Sequence, residues 1–154
     1  MKPKRGCHIQ WDIDIFDTDT FTLGDNNIFV RRSTFWFWWG VLSKYKVVFH
    51  LHDEKRSTIA ISNIINLIKD LGEENLDIEL LMNGTGLKIM LKEGECVNKV
   101  DYLSNKGVVF CVCSNSLNAL EMQENDMIKG TKIVPSGVGE LVKKQNEGWN
   151  YIKI

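Results

Sequence analysis

The sequence GVVFCVCSNSL, at residues 107–117, predicts a buried strand that runs directly into a helix. Residues 108–113 are all apolar, which is typical of a strand that is covered on both faces of a sheet. Ser114 or Asn115 can then cap the N-terminus of a helix that extends to about residue 121. A buried strand followed at once by a helix is the repeating unit of a parallel α/β sheet.

The same unit recurs upstream of this stretch. YKVVFHL at 45–51 predicts a strand, because it is short, apolar and rich in β-branched and aromatic residues. Isoleucines and leucines at helical spacing in 61–71 predict a helix that ends at Gly72. Between this helix and the central strand lie a predicted strand at 77–82, a short helix at 87–91 and a helix around residues 102–103.

Downstream, KIV at 132–134 predicts a short strand, and residues 149–154 predict a last one. A helix between them opens at Pro135 and Ser136 and ends at Gly148. One face of this helix carries Val138, Leu141 and Val142. Five strands that alternate with helices predict an α/β fold, a three-layer α/β/α sandwich with a five-stranded, mainly parallel sheet, over residues 45–154.

Composition excludes several classes of protein. The 154 residues are 44% hydrophobic and 25% charged, with a net charge of -1, so no basic surplus points to nucleic acid. The dense apolar run at 34–42 is about half of the ~20 residues that span a bilayer. Four cysteines are too few and too unevenly placed for a secreted disulfide scaffold. We therefore predict a soluble, cytoplasmic protein that binds neither nucleic acid nor membranes.

Residues 1–44 have a different composition and are predicted to form an atypical N-terminal extension of doubtful origin. They hold nine of the fifteen aromatic residues and contain no Ala, Glu or Tyr. Alternation of apolar and polar residues at 11–21 suits a strand, and FWFWWGVL at 35–42 forms an aromatic patch. Three interpretations stay open: translation that starts at Val41 or Leu42, a genuine accessory hairpin, or an anchor for a membrane or a partner.

The predicted fold brings several polar segments to one edge of the sheet. In parallel sheets ligands bind beyond the carboxyl ends of the strands, and each predicted strand is followed there by polar or small residues. The candidate ligand-binding residues at this edge are His50, His52, Asn83, Gly84, Thr85, Gly86, Ser114, Asn115, Pro135 and Ser136.

Cys113 is the candidate catalytic residue. It ends the central strand where a helix begins, so its sulfur should lie near free backbone N–H groups that lower a thiol pKa. A thiolate there can attack a sulfur donor, carry a persulfide or coordinate a metal, whereas the alternative is a buried, inert cysteine. Cys111, two residues earlier, is expected in the core, and their spacing and parallel side chains disfavour a disulfide between the two. Cys96 is expected at the surface, either as a neutral cysteine or as a resolving thiol.

Neither a metal nor a cofactor is predicted. His50 and His52 can supply a general base or metal ligands, but no zinc-binding spacing accompanies them. The alternative places His50 in the core and His52 in solvent. The segment NGTG at 83–86 resembles an anion-binding nest, yet it is too short for a dinucleotide motif and no Walker lysine follows it. A tight turn with positive φ is the other interpretation.

Residues 45–154 resemble the DsrE/DsrF-like family of small sulfur-relay proteins. The resemblance rests on KVVFHL at 46–51, MNGTGLKIML at 82–91, GVVFCVCSNSL at 107–117 and IVPSGVGELVKKQNEGWNYIKI at 133–154. It implies a three-layer domain that forms homo-oligomers, trimers or hexamers. In the sulfur-transfer members a cysteine between a strand and a helix accepts and passes on persulfide sulfur, and that position matches Cys113 here.

Two functions follow from these observations. In the first, Cys113 accepts sulfur from a donor protein and passes it to an acceptor protein, which makes the chain a sulfur carrier or sulfurtransferase. In the second, the chain is a non-catalytic oligomeric module that binds a small anionic or nucleotide-like ligand at the same edge. Replacing Cys113 by Ser separates the two, since only the first requires the sulfur atom.

Overall fold

The computed structural model describes residues 44–154. The strand, the aromatic patch and the alternative start sites predicted for the N-terminal extension therefore lie outside the described residues. The described part forms a five-stranded sheet in which all neighbouring strands are parallel, in the order β4-β3-β2-β1-β5. The strands are β1 Tyr45–Leu51, β2 Leu76–Met82, β3 Val109–Cys113, β4 Lys132–Val134 and β5 Asn150–Lys153.

Four α-helices accompany the sheet within these residues: α1 Ser57–Leu71, α2 Val97–Asn105, α3 Ser114–Ala119 and α4 Gly137–Asn146. The predicted short helix after β2 is a 3₁₀ helix, Gly84–Met90, which begins three residues earlier than expected. Gly72 ends α1 with a φ of 82°, as predicted, because glycine adopts this conformation without strain. No helix of the described part has the length and apolarity needed to cross a bilayer.

The main core lies on the face of the sheet that α1, α2 and α3 cover. Apolar side chains from β1 and β2, such as Phe49 and Leu80, pack there against Ile64 of α1 and Leu103 of α2. Strand order explains why these helices share a face. The chain moves steadily from β1 to β4 across the sheet, and right-handed crossovers then place every connecting helix on the same side.

The opposite face carries α4 alone, because only the connection from β4 to β5 returns across the sheet. Its apolar core is small and consists of Val48, Leu81, Cys111 and Val134, packed by Leu141 and Trp149. Buried charges supplement it. Glu79 of β2 is 1% exposed and lies 3.0 Å from the Lys144 amine of α4, and Glu140 of α4 is bonded to Lys132 of β4 at 3.3 Å.

The predicted apolar face of α4 is only partly buried. Leu141 packs on the sheet, but Val138 is 65% exposed and Val142 is 60% exposed. The reason is that the positions that face the sheet are taken by Glu140 and Lys144, whose charges find partners there. The spacing of the valines predicted their common side correctly and gave no information on which side meets the sheet.

Candidate functional site

Cys113 is the last residue of β3 and occupies the N-cap position of α3, with an extended backbone. Its side chain lies on the α4 face of the sheet and is 5% exposed. The N-terminus of α4 closes over it, since the backbone N–H of Gly137 donates a hydrogen bond to Sγ at 3.2 Å. Two chain segments thus meet at the sulfur: the start of α3 and the start of α4.

Hydrogen bonds control the acidity of this thiol. Burial raises the pKa of Cys113, but the N–H of Gly137, the N–H and hydroxyl of Ser116 and the N–H of Asn115 lower it by a larger amount. The pKa therefore lies below its ordinary value. A thiol with a lowered pKa is more often a thiolate, which is the nucleophilic form.

The prediction that Ser114 or Asn115 caps α3 is wrong. The N-cap residue is Cys113, and no side chain caps this helix. The backbone N–H groups of the first turn face the cysteine sulfur instead. Ser114 is half-buried and Asn115 is exposed. Asn115 acts on the Cys113 sulfur through its backbone N–H.

The two histidines lie together at the end of β1. Nε2 of His50 and Nδ1 of His52 are each 3.0 Å from Oδ1 of Asn83, which follows β2. Nδ1 of His50 is also 2.9 Å from the hydroxyl of Tyr151 on β5. His52 is exposed as predicted, whereas His50 is half-buried at the edge and not in the core.

The segment at 83–86 forms the start of the 3₁₀ helix Gly84–Met90, with the positive φ that the turn interpretation required at one glycine. Gly84 has a φ of 52°, and a Cβ there would lie 2.6 Å from the His52 ring, so only glycine fits at this position.

The polar groups of this segment are bonded within the chain. Gly84 donates its N–H to Oγ of Ser116, and Gly86 donates its N–H to the backbone oxygens of His52 and Asn83. The hydroxyl of Thr85 accepts the N–H of Glu54. Because these groups are already bonded within the chain, they do not form an open anion nest.

Pro135 and Ser136 join β4 to α4. Pro135 is exposed, and the Ser136 hydroxyl accepts the N–H of Gly139 at 3.2 Å, as an N-cap residue does. Ser136 therefore opens α4 as predicted, and through α4 it supports the Gly137 contact with Cys113. Its hydroxyl is engaged in the cap.

The other described cysteines are free and structural in their setting. Cys111 is fully buried, as expected, and burial together with the nearby Glu79 carboxylate raises its pKa to about 12. Cys96 precedes α2 and is half-buried against the main core, not exposed at the surface as expected. Within residues 44–154 no three His, Cys, Asp or Glu side chains converge in a way that holds a metal ion.

Three residues of the site were missed from the sequence. Gly137 and Ser116 supply hydrogen bonds to the sulfur, and Tyr151 bonds His50. Gly137 and Tyr151 come from α4 and β5, distant in sequence from their partners. Ser116 is three residues beyond Cys113, and that helical spacing is the signal that identifies it.

A family model described as the DsrE/DsrF-like family matches residues 44–154. Among solved structures, the chain is similar to a protein of unknown function, MTH1491 from Methanobacterium thermoautotrophicum, with 41% identity, a TM-score of 0.68, and coverage of 72% of this chain and 100% of that one. It is also similar to the ychN protein from E. coli, with 16% identity, a TM-score of 0.61, and coverage of 71% and 99%. The second likeness concerns the fold alone. No curated protein matches significantly.

Proposed function

This chain belongs to the DsrE/DsrF-like family, and from this premise we propose that it carries sulfane sulfur as a persulfide on Cys113. Membership suggests a sulfur-relay role at the level of the family. The observation that carries the finer proposal is the hydrogen bond of 3.2 Å from the Gly137 N–H to the Cys113 sulfur. Backbone N–H donors from the first turns of two helices stabilise the negative charge of a thiolate at this sulfur.

The proposed reaction is a transfer between thiols with no change in overall oxidation state. The Cys113 thiolate attacks the outer sulfur of a donor persulfide, a new S–S bond forms on Cys113, and the donor leaves as a thiolate. An acceptor thiolate then attacks the outer sulfur of the Cys113 persulfide. The S–S bond on Cys113 breaks, the acceptor gains the persulfide, and Cys113 returns to the thiolate that its N–H donors stabilise.

The alternative function, a module that binds a small anion or nucleotide-like ligand, has weaker support. Such a ligand needs open N–H donors at the edge, and those of Gly84 and Gly86 are already bonded to Ser116, His52 and Asn83. The donors that face Cys113 are directed at its sulfur. These bonds favour sulfur chemistry over ligand binding by the backbone.

Loading with a persulfide donor tests the proposal. We expect the full chain, after exposure to glutathione persulfide, to gain the mass of one sulfur atom, and peptide mapping to place it on Cys113. Cys111→Ser should load like the unchanged chain, because Cys111 is buried and its raised pKa keeps it a thiol. A chain that gains no sulfur, or gains it on another cysteine, would contradict the proposed function.

We further propose that the chain acts as a homo-oligomer, a trimer or hexamer, that receives and delivers sulfur through partner proteins. The exposed side chains of Val138 and Val142, one turn apart on α4, support an interface there. Light scattering should give a multiple of the 17.7 kDa chain mass. The double variant Val138→Asp/Val142→Asp should shift it toward the monomer, while Ile59→Asp, at another exposed apolar site, should not. A monomeric unchanged chain would refute this proposal.

A cytoplasmic location fits the proposed chemistry. The described cysteines are free thiols, and thiols persist where cellular reductants keep them reduced. A carrier that returns to a free thiolate after each transfer requires such a compartment.

A further inference from the structure

A hydrogen-bonded chain of four polar side chains runs along the edge of the sheet beside Cys113. The hydroxyl of Tyr151 lies 2.9 Å from Nδ1 of His50, and Nε2 of His50 lies 3.0 Å from Oδ1 of Asn83. Nδ1 of His52 lies 3.0 Å from the same oxygen. Asn83 thus stands at the centre, with one histidine on each side.

The position of each ring proton follows from the Asn83 oxygen that faces both rings. An amide oxygen carries two lone pairs and no hydrogen, so both ring nitrogens that face Asn83 must be N–H donors. A neutral imidazole has one N–H, and its other nitrogen is an acceptor. His50 then accepts the Tyr151 hydroxyl at Nδ1, which completes the chain. His52 is left with Nε2 as its acceptor, on an exposed ring.

We propose that Asn83 is a positioning residue that holds His50 and His52 in opposite tautomers, so that His52 presents an unprotonated Nε2 as the base for the acceptor thiol. This inference rests on the proposed function and names its proton acceptor. Once Asn83 sets the tautomer of His50, Nδ1 of His50 is free to accept the Tyr151 hydroxyl, and this bond holds the His50 ring against Asn83.

Gly84 contacts the base and is bonded to a neighbour of the sulfur. The ring of His52 packs against Gly84, whose N–H is bonded to Ser116, one of the residues that lower the pKa of Cys113. A Cβ built on Gly137 would lie 3.5 Å from Asn83 Cβ and 3.6 Å from Cys113 Sγ, so Asn83 and the sulfur are both neighbours of Gly137. The exposed ring of His52 is therefore connected, through Gly84 and Ser116, to the surroundings of the buried sulfur.

The base acts in the second half of the transfer. The acceptor thiol gives its proton to Nε2 of His52 and becomes a thiolate. This thiolate attacks the outer sulfur of the Cys113 persulfide, the S–S bond on Cys113 breaks, and Cys113 leaves as a thiolate. His52 then releases the proton to water, so that electrons and protons balance without an added oxidant or reductant.

Nitrogen NMR of the full chain with labelled histidines tests the tautomers directly. The chain has three histidines, and His→Asn variants assign their signals. At a pH where the rings are neutral, we expect a protonated Nε2 in His50 and a protonated Nδ1 in His52. The reverse pair, which arises if the amide of Asn83 faces the rings with its nitrogen, would overturn the proposal. In Asn83→Ala the two histidines should no longer be held in opposite tautomers.

Transfer kinetics test the role of the base. His52→Asn keeps a donor near the position of Nδ1 but removes the base, so we expect loading of Cys113 to be unchanged and transfer to a thiol acceptor to slow by about 10²-fold. Asn83→Ala should slow the same step, and Asn118→Ala, at an exposed position of α3, should not. If Cys113 loads but His52→Asn transfers at the normal rate, this inference fails and the proposed function stands. If Cys113 does not load at all, the proposed function itself fails.

Discussion

Replacement of Lys144 by Met is expected to destabilise the protein by about 3–5 kcal/mol, the usual cost of leaving one member of a buried ion pair alone. The Lys144 amine lies 3.0 Å from Oε2 of Glu79, and the two side chains are 13% and 1% exposed. Methionine keeps the length of the side chain and a favourable contact with the ring of Trp149, over which the amine now lies at 4.0 Å. The loss therefore comes from the charge of Glu79.

The surroundings of Glu79 explain why the loss should be large. Its second oxygen, Oε1, has no hydrogen-bond partner among the described residues, so Lys144 is the main group that compensates the buried charge. Without it the carboxylate remains in a pocket that water does not reach, and a buried, unpaired charge is among the most costly features of a folded chain.

Two further variants identify the cause. Glu79→Leu combined with Lys144→Met removes both charges, and we expect its stability to return to within about 1 kcal/mol of the unchanged chain. Lys143→Met is the matched control, because Lys143 is 66% exposed and 3.7 Å from Glu140, and it should change stability by less than about 0.5 kcal/mol. Denaturant unfolding measures all four chains. Equal losses for Lys144→Met and Lys143→Met would contradict the prediction.

Most strands and helices could be predicted from the sequence, because each depends mainly on residues close to it in the chain. The apolar run 108–113, the isoleucine spacing of α1 and Gly72 each depend on neighbours within a few residues, and the corresponding elements are present where expected. The order and direction of the strands follow from strand–helix alternation, since parallel strands require crossovers.

Long-range features were not predictable in the same way. A glutamate within a strand pattern, such as Glu79, gives no sign that it will be buried, because its burial depends on a lysine 65 positions later on α4. The same holds for the exposed face of α4 and for Tyr151, whose partner His50 lies on another strand. Cys113 was predictable because its chemistry comes largely from its own strand–helix junction.

Cys111 and Cys113 lie on the same strand but differ in pKa, so their rates of alkylation can be compared directly. In a chain in which Cys7 and Cys96 are serine, iodoacetamide at neutral pH is expected to alkylate Cys113 at least about a thousand times faster than Cys111. Only the thiolate reacts, and Cys111, with a pKa of about 12, is a thiolate in about one molecule in 10⁵ at neutral pH. Cys113, whose pKa lies below its ordinary value, exceeds the few per cent of thiolate of a free cysteine.

The pH profile gives the direction of the effect. As the pH falls through the pKa of Cys113, the thiolate is protonated and alkylation slows; above that pKa the rate reaches a plateau. Ser116→Ala removes the hydroxyl that lowers this pKa, so its profile should move to higher pH, while Asn118→Ala on the same helix should leave it in place. In denaturant the hydrogen bonds and the burial are lost, and both cysteines should react alike. If they also react alike in the folded chain, the junction does not activate Cys113, and the basis of the proposed sulfur chemistry is removed.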